Sequence, residues 1–442
     1  MIKNEWLNQL LKKLNITALN EMQEAVLSEL ETHPSMIIEA PTGSGKSLAF
    51  LAGTLPLMDV EKKQLQGLIL VPTRELAIQL ESVVRQGGLG IKVHAFYGGY
   101  AGQEDRKRLE HMPSLLIGTP GRIASLIDRG HLSLEHLKFL IIDEYDKMLE
   151  LGFEEEMKFI RTSFTHHLKR LILTSATHLS SIPSYLSEVP VKSLVFETET
   201  NAALKKFALI TTANDRENQL IELLKLSGKQ HAIIFCTYKE DIIQLCEDLS
   251  YEGLNALPFH GDMEQFEREE SLIQFRTGSS RILVASDLAA RGLDIPSLDL
   301  VIHYQLPLSA TSDTHRNGRT ARMNAKGSCL YLAGHQKEIP DFLDDLDWTT
   351  SLPAGEPPFE NEVVPCEMAT LRFSAGRQNK ISKGDVVGFM TKDAGIPGDA
   401  LGLITLRPKS TYIGVQRQYM KPLLKKFKTA RIKKSTVKIR SL

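Results

Sequence analysis

Cysteine is scarce in this sequence, with four among 442 residues: Cys236, Cys246, Cys329 and Cys366. They form no CxxC pair and have no histidine at ligand spacing. That excludes a zinc module and a disulfide scaffold, and predicts isolated reduced thiols. Long hydrophobic runs are also missing: none approaches the ~18–20 apolar residues of a membrane-spanning helix. The opening Met1-Ile2-Lys3-Asn4-Glu5-Trp6 has no features of a secretory signal. A soluble, cytoplasmic protein with no membrane partner is expected. Aromatics at 7% and charged residues at 24% are those of an ordinary globular protein. No single charge sign dominates, since the formal net charge is −1, but the balance hides an asymmetry. From Glu338 to Glu367 there is no Lys or Arg, while Asp341, Asp344, Asp345, Asp347, Glu356, Glu360 and Glu362 accumulate. After Lys421 the pattern inverts: Lys425, Lys426, Lys428, Arg431, Lys433, Lys434, Lys438 and Arg440 occur without an acid. A basic end on a neutral chain points to nucleic acid at that end.

What is present is most informative at Ala40-Pro41-Thr42-Gly43-Ser44-Gly45-Lys46-Ser47. An apolar strand-like run, Met36 to Ile38, precedes it and a helix-like stretch follows from Leu48, the context a phosphate loop requires. Gly43 and Gly45 allow the backbone to turn its N–H groups toward phosphate oxygens, and the helix start adds partial positive charge. Lys46 is placed to reach the β- and γ-phosphates of ATP, and the Ser47 hydroxyl to ligate Mg²⁺. Ala40 stands where the usual pattern has Gly. A second apolar run, Phe139 to Ile142, ends in Asp143-Glu144-Tyr145-Asp146. Carboxylates at the end of a buried parallel strand sit at the sheet's functional edge. Asp143 is the candidate Mg²⁺ carboxylate, acting through water, and Glu144 the candidate base for the attacking water. A nucleotide triphosphatase site is the reading, against an incidental Gly-rich turn and a solvated acidic strand end.

Short apolar runs recur at Leu68 to Val71, Leu115 to Ile117, Leu171 to Leu173, Ala232 to Phe235, Ile282 to Ala285 and Leu300 to Ile302. Helical periodicity lies between them, as in Glu217 to Leu226, so doubly wound parallel sheets are expected. There are too many strands for one sheet. A polar break at Thr198-Glu199-Thr200-Asn201 divides two βα series. A second break, Thr349 to Pro365, carries Pro353, Gly355, Pro357, Pro358 and Pro365 among acids and suits an extended linker. The expected domains are 1–200, 205–346, a linker at 347–366, and a small basic domain at 367–442.

Further segments recur in an ordered series. Pro72-Thr73-Arg74-Glu75-Leu76-Ala77 is followed by Gly98-Gly99, Thr119-Pro120-Gly121-Arg122 and Ser175-Ala176-Thr177. Then come His260-Gly261-Asp262, Ser286-Asp287, Ala290-Arg291-Gly292-Leu293-Asp294 and His315-Arg316-Asn317-Gly318-Arg319-Thr320-Ala321-Arg322. In this order and spacing the first ~340 residues resemble the DEAD-box RNA helicases of superfamily two. The resemblance implies two RecA-like lobes that bind ATP between them and RNA across them. It assigns Arg74, Gly99, Thr119, Arg122 and Ser286 to the RNA backbone, and Arg319 and Arg322 to the γ-phosphate as arginine fingers. It gives His315 and Arg316 to lobe coupling, Asp294 to the ribose, and Gln23 and Trp6 to the adenine. It also has Asp146 bonding the hydroxyls of Ser175 and Thr177. Residues alone leave alternatives open: Arg74 and Arg122 in surface ion pairs, Arg316, Arg319 and Arg322 on one face of an RNA-facing helix, Trp6 in the core.

Tyr145 departs from the family's Ala. Its bulk at a tight strand end predicts crowding at a cost of ~1–3 kcal/mol, relieved by Ala. From Leu371, Arg372-Phe373-Ser374-Ala375-Gly376-Arg377-Gln378-Asn379-Lys380 and Ser410-Thr411-Tyr412-Ile413-Gly414-Val415 resemble the C-terminal RNA-binding domain of bacterial DbpA-type helicases, an RRM-like βαββαβ fold. Aromatics flanking Tyr412 are missing, so Arg377, Lys380, Lys383 and the tail lysines are the candidate RNA contacts. A tail that only solubilises the chain is the bland alternative. The resemblance implies an RNA-dependent ATPase, a monomer, acting on structured ribosomal RNA in large-subunit assembly. Two other functions compete: an ATP-binding RNA clamp or annealing factor that hydrolyses weakly because of Tyr145, and a DNA translocase.

Overall fold

The computed structural model describes residues 2–98, 108–164, 168–179, 183–186, 191–196, 204–212, 215–290, 298–320, 327–335, 338–343, 346–349 and 364–442. The chain divides near residue 202 into two compact units.

The first unit is built on a parallel sheet. Its strands are β1 (Ser35–Glu39), β2 (Gly67–Leu70), β3 (Val93–Phe96), β4 (Leu115–Gly118), β5 (Phe139–Ile142), β6 (Arg170–Ser175) and β7 (Lys192–Val195). They lie in the order β3-β4-β2-β5-β6-β1-β7, all parallel. The apolar runs become strands because both faces are covered, so successive residues feed opposite cores. Ile38, Ile69, Ile117, Ile141 and Ile172 face one core with Leu10, Phe50 and Leu80. Ile37, Leu68, Leu116, Leu140 and Leu173 face the other with Ile123, Met148 and Met157. Those helical residues come from α1 (Ile2–Leu14), α3 (Lys46–Thr54) and α4 (Arg74–Gln86) on one side, with α2 (Glu21–Glu29) between the first two. On the other side they come from α5 (Pro120–Asp128), α6 (Tyr145–Glu150) and α7 (Glu154–Thr162). Local chemistry starts these helices: an Asn20–Gln23 capping box at α2, a Thr73 N-cap at α4, and Pro120 at the first position of α5.

The second unit repeats the plan. Strands β8 (Leu204–Ile210), β9 (Ala232–Phe235), β10 (Ala256–Phe259), β11 (Ile282–Ala285), β12 (Leu300–His303), β13 (Gly327–Ala333) and β14 (Asp347–Thr349) form a parallel sheet in the order β10-β11-β9-β12-β13-β8-β14. Pro258 is tolerated because β10 is an edge strand. Helices α8 (Arg216–Leu226) and α9 (Lys239–Tyr251) cover one face, and α10 (Gln265–Thr277) follows β10. The acidic composition around Asp347 assigns it to a linker, but Asp347–Thr349 instead pairs with β8 as the sheet's last strand. Residues 350–363 lie outside the described residues.

The same unit carries an antiparallel domain. Strands β15 (Met368–Phe373), β16 (Leu401–Leu406), β17 (Thr411–Gln416), β18 (Thr429–Ile432) and β19 (Ser435–Ser441) pair in the order β16-β17-β15-β19-β18. Leu371, Phe373, Ile413 and Val415 pack with Val386, Met420 and Leu423 of two short helices, Lys383–Gly388 and Met420–Lys426. The opposite face of this sheet meets α10. Arg372 Nη1 and the Tyr412 hydroxyl both donate to Glu270 Oε1, at 2.6 and 3.0 Å. The Thr370 hydroxyl lies 2.6 Å from that of Thr277 and 2.8 Å from that of Ser279. A domain expected to hang on a flexible linker is therefore seated on the second lobe by side chains of both.

Candidate nucleotide and RNA sites

The phosphate loop leaves β1 and enters α3. Gly43 and Gly45 have φ of 83° and 92°, the left-handed region where a side chain is strained. Gly45 is also hemmed in: a Cβ there would sit 2.3 Å from Gln23 Nε2. The Thr42 and Ser44 hydroxyls are buried without hydrogen-bond partners among the described residues. Lys46 is buried, with Nζ donating to the carbonyls of Ala40 and, at 3.0 Å, Pro41. Burial lowers its pKa, partly offset by Asp143, Glu144 and Asp146. A desolvated cation beside left-handed glycines and two buried hydroxyls without partners among the described residues has the chemistry of a polyanion cradle.

The carboxylates come from the end of β5, two strands from β1. Burial, reinforced by the neighbouring charge of Glu144, raises the Asp143 pKa to about 6; Thr174 pulls the other way. The Thr174 hydroxyl donates to Asp143 Oδ1 at 2.5 Å and accepts from Glu144 N at 3.0 Å. Thr174 was not visible as a site residue in the sequence. Its role follows from strand register, since β5 and β6 pair Ile142 with Leu173 and so set Asp143 beside Thr174. Glu144 is held at φ 54°, and its Oε2 is buried without a partner among the described residues. Strain and an unsatisfied acceptor both mark a functional position. Asp146 Oδ2 accepts from Thr177 Oγ1 at 3.0 Å and Ala176 N at 3.3 Å. The Ser175 hydroxyl, expected to share this bond, donates to Thr177 O instead.

Across the same sheet edge, three strands that carry no ATP residue carry the candidate RNA residues. Thr73 and Arg74 follow β2, Gly98 follows β3, and Thr119 and Arg122 follow β4, the three neighbours β3-β4-β2. The Arg74 guanidinium lies beside Gly98, 3.6 Å from where a Cβ would be. The candidate nucleotide residues thus follow β5, β6 and β1, while the other half of the edge presents arginines and helix starts, with Asp146–Thr177 within the first half.

These sites can be compared with known proteins. Residues 20–183 match the DEAD/DEAH box helicase family, residues 215–324 the helicase conserved C-terminal domain, and residues 370–441 the DbpA RNA binding domain. The chain belongs to the DEAD/DEAH box helicases. It is 32% identical over 98% of its length to the ATP-dependent RNA helicase DbpA of Escherichia coli, covering 96% of that protein. It is 29% identical over 97% of its length to DbpA of Bacillus subtilis, again covering 96% of that protein. Yeast (S. cerevisiae) Dbp5 bound to RNA and ADP BeF3 matches 78% of this chain and 92% of its own, with TM-score 0.69 and 27% identity. The fold is two RecA-like parallel-sheet lobes with a small antiparallel C-terminal domain, and the activity is that of an ATP-dependent RNA helicase or remodeller.

Gln23, given to the adenine by the resemblance, lies in the first turn of α2, and its amide is engaged. Oε1 accepts from Asn20 N and Nε2 donates to Gly45 O, so reading a base means exchanging these bonds. Trp6 packs against the first core. In the second lobe, α11 (Ala310–Asn317) ends before Arg319, so Arg316 and Arg319 do not share a helical face as their spacing suggests. Arg316 is 1% exposed and bound within its own lobe: Nε and Nη2 to Asp287 at 2.5 and 2.7 Å, Nη1 to Gln305 O at 2.7 Å, with its guanidinium over Phe235. It fixes the Ser286–Asp287 segment to the α11 turn. His315 and Arg319 are buried beside it. Ser286 sits at the end of β11, its hydroxyl accepting from Ala289 N. Gly99, Asp294 and Arg322 lie outside the described residues.

Tyr145, expected to crowd the strand end, turns its ring into the core. Its ring is fully buried in the second core of the first lobe, with Met148, Met157 and Leu173. In the C-terminal domain, Tyr412 is 4% exposed against α10, so it is no stacking platform. Lys380 and Lys383 are exposed, and Arg377 lies on an exposed turn with its guanidinium on Leu406 O. No described helix is long and apolar enough to cross a membrane.

Proposed function

We propose that this helicase opens short duplexes in structured ribosomal RNA during large-subunit assembly, working as a cytoplasmic monomer anchored by residues 367–442. The observation that supports this is the extent of the similarity. The eIF4A relatives align with 70% of the chain, whereas the DbpA proteins align with 97–98% and include the C-terminal domain. Residues 370–441 match an RNA-binding domain, and the resemblance to DbpA-type helicases implies large-subunit ribosomal RNA as what it selects.

Lys46 and the backbone of Thr42 to Ser47 would bind the ATP phosphates. Ser47 and Asp143 would hold Mg²⁺, which neutralises phosphate charge when bound. The buried Asp143 carboxyl and the unpartnered hydroxyls of Thr42 and Ser44 nearby fit that role. Glu144 Oε2 accepts the proton of the attacking water. Arg319, with Arg322, supplies positive charge to the γ-phosphate, while Asp294, Gln23 and Trp6 read the nucleoside. Arg74, Gly99, Thr119, Arg122 and Ser286 hold the RNA backbone, which carries no sequence by itself. Asp146 conveys the state of one site to the other through Thr177. His315 and Arg316 act in the same relay by holding the second lobe's loops. A clamp with weak hydrolysis is disfavoured, because the Tyr145 ring lies in the core and the buried Glu144 Oε2 is left without a hydrogen bond among the described residues.

The test uses the full chain with Arg377, Lys380 and Lys383 replaced by Glu. ATP hydrolysis at saturating poly(A) should stay within twofold of wild type. The ribosomal RNA concentration giving half-maximal stimulation should rise about 10²-fold or more, since each lost phosphate contact is salt-dependent binding energy. Unchanged preference for ribosomal RNA would remove the domain's role as selector.

A further inference from the structure

Glu39 closes β1 one residue before the phosphate loop, and it is only 5% exposed. A buried carboxylate here is costly: it loses hydration and repels an incoming triphosphate. Both its oxygens are nevertheless used, and neither touches the loop. Oε2 accepts from His178 Nδ1 at 2.7 Å, and Oε1 accepts from Leu179 N at 3.1 Å. His178 and Leu179 directly follow Ser175-Ala176-Thr177. The main chains are tied as well: Glu39 lies opposite Ser175 in register, and Ala40 N donates to Ser175 O at 3.1 Å. The turn after β6 is thus gripped from two sides. Asp146, three residues past the metal-side carboxylate, holds Ala176 and Thr177. Glu39, at the root of the phosphate loop, holds the two residues after them.

We propose that Glu39 is a positioning residue that ties the root of the phosphate loop to the Ser175–Thr177 turn, forming a second arm of the coupling between ATP and RNA. The inference rests on the reading that this turn carries that coupling. Two arms differ from one. Asp146 alone lets the turn pivot about Thr177, whereas a second clamp at residues 178–179 makes any displacement of the loop's root move the whole turn. A carboxylate suits the task because it accepts from a main-chain N–H and an imidazole N–H at once, which a hydroxyl at this position could not reach.

The experiment measures the affinity of the full chain for single-stranded RNA with and without a non-hydrolysable ATP analogue. The ratio of the two affinities is the coupling, commonly ~5–150-fold for linked sites. Glu39→Ala should lower that ratio by roughly tenfold, while affinity for the analogue without RNA stays within about threefold. Glu39→Gln keeps an acceptor for Leu179 N and should retain most of the ratio. His178→Ala removes one arm's outer contact from an exposed side chain and should lower the ratio several-fold. Thr177→Ala is the control for the parent reading: if it leaves the ratio intact, the turn is not the coupler. A reduced ratio in Thr177→Ala with a wild-type ratio in folded Glu39→Ala overturns the role of Glu39 alone. Should Glu39→Ala fail to fold, a wild-type ratio in His178→Ala overturns it equally.

Discussion

Two carboxylates each draw distant segments of this molecule together, and they do so by different physics. Asp146 sits in the first lobe, 7% exposed, and bonds one hydroxyl and one main-chain N–H of the next strand's loop. Glu270 sits on α10 and receives Arg372 and the Tyr412 hydroxyl, with Arg440 Nη2 at 3.8 Å; beside it Glu269 faces Arg407 at 3.2 Å. The hydrogen bonds from Thr177 and Ala176 come from neutral groups, which suits the relay role proposed for Asp146. Glu270 gathers charges and is backed by the buried Thr277–Thr370–Ser279 hydroxyl cluster. It is a weld. The difference implies that substitutions in the first lobe should alter turnover, and substitutions at α10 should alter stability.

The largest expected effect is at the first site. Glu144→Gln should bind ATP and RNA but hydrolyse ATP about 10²–10⁴-fold more slowly in a single-turnover phosphate-release assay. Its thermal unfolding should match wild type, because Glu144 Oε2 accepts no bond that the amide would lose. Turnover near the wild-type rate would take the base assignment away from Glu144.

Tyr145 sharpens the contrast, since it lies between the candidate carboxylates Glu144 and Asp146 yet belongs to the core. Tyr145→Ala should cost about 3–5 kcal/mol of stability, the range for deleting a buried aromatic ring. Tyr145→Phe should cost at most about 1 kcal/mol, because it keeps the buried ring and gives up only a hydroxyl that faces Tyr185. Denaturant unfolding of both variants checks this. An Ala variant as stable as wild type would restore the crowding that bulk alone suggests.

Glu270→Ala should be next, at about 1.5–3 kcal/mol for hydrogen bonds made to a charged group. The loss should appear in unfolding of the C-terminal domain, with RNA-independent ATP hydrolysis unchanged. If ATP turnover falls while stability holds, Glu270 is a relay and the contrast with Asp146 collapses.

The same contrast explains what the sequence disclosed. The strands Met36 to Ile38, Leu68 to Val71 and Ala232 to Phe235 were legible because both faces of a parallel sheet are buried, which writes continuous apolar runs. The phosphate loop and Asp143–Asp146 were legible because their chemistry is packed into consecutive residues. Thr174 and Glu39 were not: each is an ordinary residue in a strand and gains its role from what register sets beside it. The Glu270 weld draws on positions 270, 372, 412 and 440, which only the fold assembles. Tyr145 misled because a motif places a residue along the chain without saying which way its ring turns.

The smallest effect is a pH dependence that separates metal binding from base chemistry. Asp143 is a carboxyl whose pKa burial raises to about 6. Its protonated form is favoured in the folded chain, so its contribution to stability is present below the unfolded value of 3.8 and is lost as pH rises through about 6. Metal binding runs the other way, because the carboxylate is the form that holds a cation. Below about pH 6 the Mg²⁺ concentration for half-maximal ATP hydrolysis should rise by up to about tenfold per unit, and above it should level off. ATP phosphates also take up protons in this range, so the wild-type curve alone does not isolate Asp143. Thr174→Val does, since the Thr174 hydroxyl holds that pKa down. Removing it should move the limb to higher pH while the nucleotide's own ionisation stays fixed, at a stability cost of about 2–4 kcal/mol for the two lost bonds, one to Asp143 and one from Glu144 N. Superimposable Mg²⁺ curves for the two proteins from pH 5 to 8 would mean that Asp143 is not the carboxylate that meets the metal.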